Sequence, residues 1–263
     1  MSTSPVQSTP QTESPHTGGP RFRSMAATTG LVALVTLREL ARRRGALALA
    51  TLLPLTFYLV RLETHWTAIR LLSIGLGWAT ATLALFTQVS SRSVDRRLAV
   101  SGAPPTALLL GRHLAVLGLG WTIGLLYTGL VLVTIGDELT HPSAVPVMLL
   151  LTATVATPLG SLAAALIPRE LEGALLLLSV MAVQVLVNPS EGWTRVLPLW
   201  STRELASVVV ENLGSETADY LCRGLMHGAA MAVLLTAASW TVGVLRLRTV
   251  RLPAPSPAGP AYS

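Results

Sequence analysis

Six apolar stretches, each followed by a polar segment, account for most of the chain between residues 45 and 245. They comprise residues 45–60, 66–89, 114–135, 145–167, 174–188 and 225–245. A helix needs about 20 apolar residues to cross the hydrocarbon core of a bilayer, so most of these lengths are typical of spanning helices. The pattern predicts an all-α membrane protein with six transmembrane helices, in one domain over residues 25–251.

The fifth stretch is the shortest, because its continuous apolar character lasts only about 14 residues, too few for an upright span. The arginines bear on whether it crosses. With six crossings and the N-terminus inside, 14 of the 19 arginines face the cytoplasm. Without the fifth crossing, the arginines after the sixth stretch would lie outside, against the preference of cytoplasmic loops for positive charge. We therefore expect the stretch to cross a plasma membrane, with both termini cytoplasmic.

The composition supports the membrane class. Hydrophobic residues make up 51% of the chain and charged residues 12%, with a mean hydropathy of +0.58, whereas a soluble domain has about 25% charged residues. The net charge of +6 is therefore interpreted through membrane topology and not as affinity for nucleic acid. The single cysteine, Cys222, excludes an internal disulfide and a multi-cysteine zinc site.

Three segments lie outside the apolar stretches at the two ends of the chain. Residues 1–24 and 252–263 are polar or proline-rich and too poor in apolar side chains to offset the entropy of ordering, so we expect both to be disordered. Residues 25–44 form an amphipathic pattern instead. Leu34, Leu37, Leu40 and Ala41 share one helical face, and Arg38, Glu39, Arg42 and Arg43 share another. The pattern predicts an interfacial helix; the alternative is an extension of the first span, which would bury the arginines up to Arg44.

The segment from Ser90 to His113 separates the second and third apolar stretches and is rich in arginine. Gly102 and two prolines end any helix near Val100, and Pro104 can open the next helix. The segment therefore predicts a short basic helix across the membrane surface. It is either an interfacial anchor or a docking element for a soluble partner, and the loop alone does not separate these interpretations.

The long segment 189–223 carries a second short amphipathic pattern. Leu205, Val208, Val209 and Leu213 fall on one helical face, away from Arg203, Glu204 and Glu211. We expect one or two short helices half-sunk in the outer leaflet, with Trp193 and Trp200 at the interface.

The sequence disfavours several kinds of membrane chemistry. Because the predicted spans contain no acidic residue, a proton-coupled antiporter is disfavoured. No HExxH-like spacing occurs, and His113 and His227 each lie singly near a span end, as interfacial or packed histidines do. Gln88, Gln184 and Asn188 could bond across helices or line a substrate path. The chain also has no lysine and no phosphate-binding loop, so we expect it to hydrolyse no ATP by that route.

Taken in order, these features resemble the permease subunit of type-2 ABC exporters, including antibiotic and drug exporters and, more distantly, the haem-exporter permease. The resemblance covers about residues 25–250 and rests on the order and spacing of its parts. These are the arginine-rich helix before the first span, Arg96-Arg97-Leu98 and Ser101-Gly102-Ala103-Pro104 in the basic loop, Gly111-Arg112 re-entering, Thr157-Pro158-Leu159-Gly160, Arg169-Glu170-Leu171-Glu172 and the outer helices before the last span.

The resemblance implies an exporter subunit with particular partners, and the all-arginine usage with high Ala, Leu and Gly suggests a bacterial source. It implies that a separate ATPase, which holds ATP and magnesium, docks on the basic loop, and that a second identical or homologous permease completes a dimer in the bilayer. This chain would itself hold no cofactor. The residues implied in coupling are Arg92, Asp95, Arg96, Arg97, Leu98, Ser101 and Gly102, and those of the elbow helix are Arg38, Arg42, Arg43 and Arg44. A scaffold without a substrate and, less favoured, a channel remain as alternatives.

Overall fold

A computed structural model describes residues 25–187 and 192–248. Over these residues the chain is all-helical. The α-helices are α1 (Met25–Arg42), α2 (Arg44–Val60), α3 (His65–Ser90), α4 (Arg92–Val100), α5 (Pro105–Ile135), α6 (Ala144–Leu166), α7 (Glu170–Leu186), α8 (Trp200–Val210) and α9 (Thr217–Arg248). Short 3-10 turns occupy Gly136–Glu138, Gly192–Val196 and Gly214–Glu216. Asn188 and the two predicted tails lie outside the described residues.

Four helices of the described chain are long and apolar enough to cross a membrane: α3, α5, α6 and α9. This agrees with the prediction of an all-α multi-pass membrane protein. The two remaining apolar helices, α2 and α7, have 17 residues each. At about 1.5 Å per residue they are roughly 25 Å long, shorter than the hydrocarbon core of about 30 Å.

The apolar helices α2, α3, α5, α6, α7 and α9 alternate in direction along the chain. Near the start of α7, Gly173 lies against Leu85 at the end of α3, while near its end the Gln184 carbonyl accepts a hydrogen bond from Arg70 at the start of α3 (2.8 Å). These contacts make α7 antiparallel to α3. At the start of α5, Leu109 contacts Gly243 at the end of α9. The bundle therefore has one end that carries α4 and an opposite end that carries α8.

Small residues let α3 lie at the centre of the bundle, because they permit close backbone approach between helices. An atom added in the Cβ position of Gly160 on α6 would lie 1.9 Å from the carbonyl oxygen of Ala81 on α3. On α5, Gly120 similarly faces Thr80. Most of α3 is buried as a result, whereas most of α9 is exposed.

Helix α1 packs along α5, but with a different face from the predicted apolar one. Thr29, Thr36 and Leu40 are its buried residues. Gly111 on α5 permits this approach, since its Cβ position lies 2.7 Å from the Thr29 carbonyl oxygen. Of the predicted apolar face only Leu40 is buried, and Leu34 and Leu37 are exposed, as the prediction of a lipid-facing side requires.

Several predicted boundaries need correction. Helix α5 begins at Pro105, nine residues before the predicted third stretch, with Pro104 as its N-cap and not its first helical residue. Helix α7 begins at Glu170, so the predicted turn at 169–172 is largely its first turn, where acidic side chains are favoured by the helix dipole. Helix α9 extends beyond the predicted 225–245 at both ends, because polar turns continue it.

The expectation of half-sunk outer helices is also only partly met. Helix α8 is buried on nearly all sides against α3, α6 and α9, and its buried residues include Glu204, which the pattern placed off the apolar face. Burial of this carboxylate is compensated by Arg223 on α9, whose Nη2 lies 3.2 Å from Glu204 Oε2.

Candidate functional site

The residues that follow the short helix α4 determine where it ends. At its end, the Gly102 amide donates to the Ala99 carbonyl (3.2 Å) and the Ala103 amide donates to the Leu98 carbonyl (2.9 Å). This pair of bonds is a Schellman motif, which requires a left-handed residue after the helix. Gly102 supplies it with φ of 96°. The predicted termination near Val100 is therefore confirmed, and α5 starts at Pro105, three residues after Gly102.

A buried ion pair joins α4 to α5. The carboxylate of Asp95 accepts a hydrogen bond from the guanidinium of Arg112, and both residues are buried, at 4% and 6% exposure. The Ser91 hydroxyl also donates to Asp95 Oδ2 (3.3 Å). Either charge left alone in this environment would be costly, so the two residues hold the helices in one arrangement.

Arg92 joins the first turn of α4 to the end of α6. Its guanidinium donates to the carbonyls of Ala164, Ile167 and Pro168, the latter two at 2.9 Å. The last carbonyls of a helix have no partner within it, and a cation there is favoured by the helix dipole. Arg246 on α9 donates to another of them, the Ala165 carbonyl, at 2.7 Å.

The opposite side of α4 is exposed. Val94 and Leu98 lie one turn apart, with exposed fractions of 52% and 37%. Arg97 and Val100 beside them are also exposed. Ser101 donates its hydroxyl only locally, to the Leu98 carbonyl at 2.9 Å. The surface formed by Val94, Arg97, Leu98 and Val100, here called the outer face of α4, thus offers apolar side chains next to a cation.

Behind α4, an open cleft lies between α3, α4, α5, α6 and α9. Its polar lining includes Gln88, Arg92, Arg96, His113 and Arg246. Its apolar lining includes Leu109, Trp240 and Leu247. The cleft therefore combines several cations with an apolar wall.

Of the predicted path residues, the two that the structure describes, Gln88 and Gln184, are not brought together. Gln88 lines the cleft at the α4 end. Gln184 lies at the α8 end, where its side-chain oxygen accepts a hydrogen bond from the Leu199 amide (2.9 Å). This bond gives Gln184 a packing role between α7 and the start of α8.

The predicted elbow arginines are all exposed and do not reach the cleft. Arg38, Arg42, Arg43 and Arg44 lie at the end of α1 and the start of α2. Arg43 pairs with Glu39 one helical turn before it, with Nη2 2.7 Å from Oε1. An exposed pair of this kind contributes little stability.

Three lining residues, Arg246, Trp240 and His113, were not predicted as site residues. Arg246 was one of several arginines after the last apolar stretch, and His113 was interpreted as a single interfacial or packed histidine. Both line the cleft because α5 and α9 meet at this end of the bundle. The position of Arg246, directly after the last apolar stretch, is the sequence signal that could have identified it as a site residue. Among the described residues, no group of histidine, cysteine and acidic side chains could hold a metal ion.

No family model matches this chain, and no curated protein matches it. The functional interpretation therefore depends on the geometry of α4 and the cleft, together with the resemblance stated above.

Proposed function

We propose that this chain is the permease subunit of an ATP-driven exporter similar to the type-2 ABC exporters. The observation that carries the proposal is the two-sided construction of α4. Its outer face is exposed, while its inner side is bonded to α5 through Asp95 and to α6 through Arg92. A surface helix that served only as an anchor would require neither a buried ion pair with α5 nor three hydrogen bonds at the end of α6.

In this proposal α4 transmits movement of a soluble ATPase to the bundle. Leu98 and Val94 contact an apolar pocket of the partner, and Arg97 pairs with an acidic edge. When ATP closes the partner ATPases, α4 moves with them and shifts α5 and α6 between two packings, which alternately open the transport path. The transported molecule is small or amphiphilic. A second permease copy in the plasma membrane completes the path.

We also propose that six helices cross the membrane, with α2 and α7 as short spans and α1 as the elbow helix. The alternation of helix directions supports this topology, because it brings both ends of the described chain to the α4 end. Cysteines introduced as Gly214→Cys and Ala254→Cys, in a Cys222→Ser background, test the topology. Labelling of the first from outside and of the second only after permeabilisation is expected, and equal outside labelling would contradict it.

The proposal further implies that the purified chain hydrolyses no ATP by itself. It has neither a phosphate-binding loop nor a lysine to supply that loop's cation. ATP and magnesium would be held by the partner. ATP turnover by a rigorously pure preparation of this chain alone would contradict this assignment.

Co-purification with a candidate ATPase, encoded in an adjacent reading frame, tests the docking proposal. Leu98→Asp should abolish the complex, because it places an unpaired charge in an apolar contact. Val196→Asp is the matched control, since Val196 is an exposed apolar residue at the α8 end. Loss of the complex only with Leu98→Asp supports the proposal. If the ATPase complex is recovered in full yield with Leu98→Asp, α4 is an interfacial anchor and the scaffold alternative is favoured.

A further inference from the structure

The cleft behind α4 carries an excess of positive charge. Arg92, Arg96 and Arg246 line it, and Asp95 is the one carboxylate among the described lining residues. That carboxylate is already bonded to Arg112. Burial lowers the pKa of the Arg92 guanidinium from its usual value, and repulsion from Arg246 and Arg96 lowers it further. The cleft is thus lined by more cations than carboxylates.

Arg96 is the lining arginine best placed to receive an anion. Arg92 already donates hydrogen bonds to carbonyls at the end of α6, and Arg246 donates one to the Ala165 carbonyl. Arg96 makes no hydrogen bond or ion pair with any residue in the described part of the chain. Its guanidinium therefore has donors available for an added ligand, and His113 across the cleft can contribute another ring nitrogen.

A shallow apolar groove, formed by side chains of α9 alone, continues from the cleft along that helix. The groove shares Thr236 and Trp240 with the cleft and adds Ala237 and, one turn towards the start of α9, Val233. Val233 is 70% exposed, so no other described helix covers this face. The cations lie at the end of α9 and the groove follows its length, which is the arrangement of a lipid headgroup and its acyl chain at a membrane surface.

We propose that the cleft binds an anionic phospholipid, with its phosphate between Arg96, Arg246 and His113 and an acyl chain in the groove past Trp240. Guanidinium groups suit phosphate because they donate paired, charge-assisted hydrogen bonds. The proposal does not depend on the exporter assignment. It applies equally to a scaffold, because it uses only the charge and shape of this cleft.

The test uses Trp240 as the reporter in the intact purified protein. Phosphatidylglycerol with brominated acyl chains is titrated against wild type and against Trp240→Phe, and the difference in quenching reports lipid at the groove. Brominated phosphatidylcholine, which has no net charge, is the comparison lipid. Stronger quenching by phosphatidylglycerol is expected. Equal quenching by the two lipids, or none from either because a second copy covers α9, would overturn the proposal.

Two neighbouring arginines on α4 supply matched variants. Arg96→Gln should weaken phosphatidylglycerol binding about fivefold, the effect of one lost charge-assisted bond at a partly hydrated site. Arg97→Gln removes the same charge one residue away and should leave binding unchanged, because Arg97 does not line the cleft. Equal losses in both variants would indicate attraction to overall charge and overturn a defined site.

Inorganic phosphate separates a lipid from a soluble anion. If phosphate at the concentration of the lipid headgroup displaces the brominated lipid completely, the cleft is a phosphate site and the lipid assignment is wrong. If phosphate does not displace the brominated lipid but unbrominated phosphatidylglycerol does, the result supports a site for both headgroup and acyl chain.

Discussion

The two short helices α4 and α8 lie at opposite ends of the same bundle and are held in opposite ways. Helix α8 has eight of its eleven residues buried, and packing against α3, α6 and α9 holds it. Helix α4 has one buried residue, Asp95, and polar bonds hold it to α5 and α6. A helix held by a few directional bonds keeps its outer face free for a partner, whereas a helix held by burial has no such face.

The largest predicted difference between the two helices is their response to an introduced charge. Val209→Asp in α8 places a carboxylate at a fully buried position and should cost several kcal/mol, roughly 3–5. Val94→Asp in α4 should change the free energy of unfolding by less than about 0.5 kcal/mol, since Val94 is half-exposed. Thermal unfolding in detergent measures both variants. Similar losses would mean that α4 is not a surface helix.

The next largest effect concerns the ion pairs at the two ends. Asp95→Leu leaves Arg112 buried without a partner and should cost about 3–5 kcal/mol. Arg223→Ala removes the half-exposed partner of the buried Glu204 and should cost less, about 1–2 kcal/mol, because water can take the place of the exposed Arg223 side chain. Thermal midpoints of the two variants, measured in one detergent, give the comparison. The double change Asp95→Leu with Arg112→Leu should recover most of the stability, and failure to recover would argue against the pair.

The smallest effect is expected at the glycine that ends α4. Gly102→Ala should cost about 1 kcal/mol, since its φ of 96° disfavours any side chain. Gly129→Ala on α5 is the control, because its added methyl group would have no atom within 4 Å. Unfolding midpoints of the two variants should differ. Equal stability would contradict the Schellman turn at the end of α4.

Hydropathy predicted the apolar centres of the helices because the membrane core imposes length and polarity directly on the sequence. It missed the extension of α5 back to Pro105, because that extension buries Arg112. A single arginine looks too costly to bury until its partner is known. Asp95 lies 17 residues earlier, and only the fold shows that the two side chains meet.

The candidate site, like the fold, was predictable from the sequence only in part. Gly102 and the two prolines set the end of α4 locally, so the short helix was visible in the sequence. The cleft was not, since its wall combines α4 with Arg246 and Trp240 from the far end of the chain. Glu204 was misplaced for a related reason, because its burial depends on Arg223 on another helix.

The central claim is that the outer face of α4 contacts a soluble ATPase, and site-specific photo-crosslinking tests it most directly. A photoreactive benzoylphenylalanine replaces Leu98 on α4 or, as the control, Val133 on α5, which is 87% exposed and far from α4. Irradiated cells should yield an adduct at position 98 whose partner peptides contain a phosphate-binding loop, and no such adduct at position 133. Adducts with lipid alone at position 98, or the same protein adduct at both positions, would contradict the account.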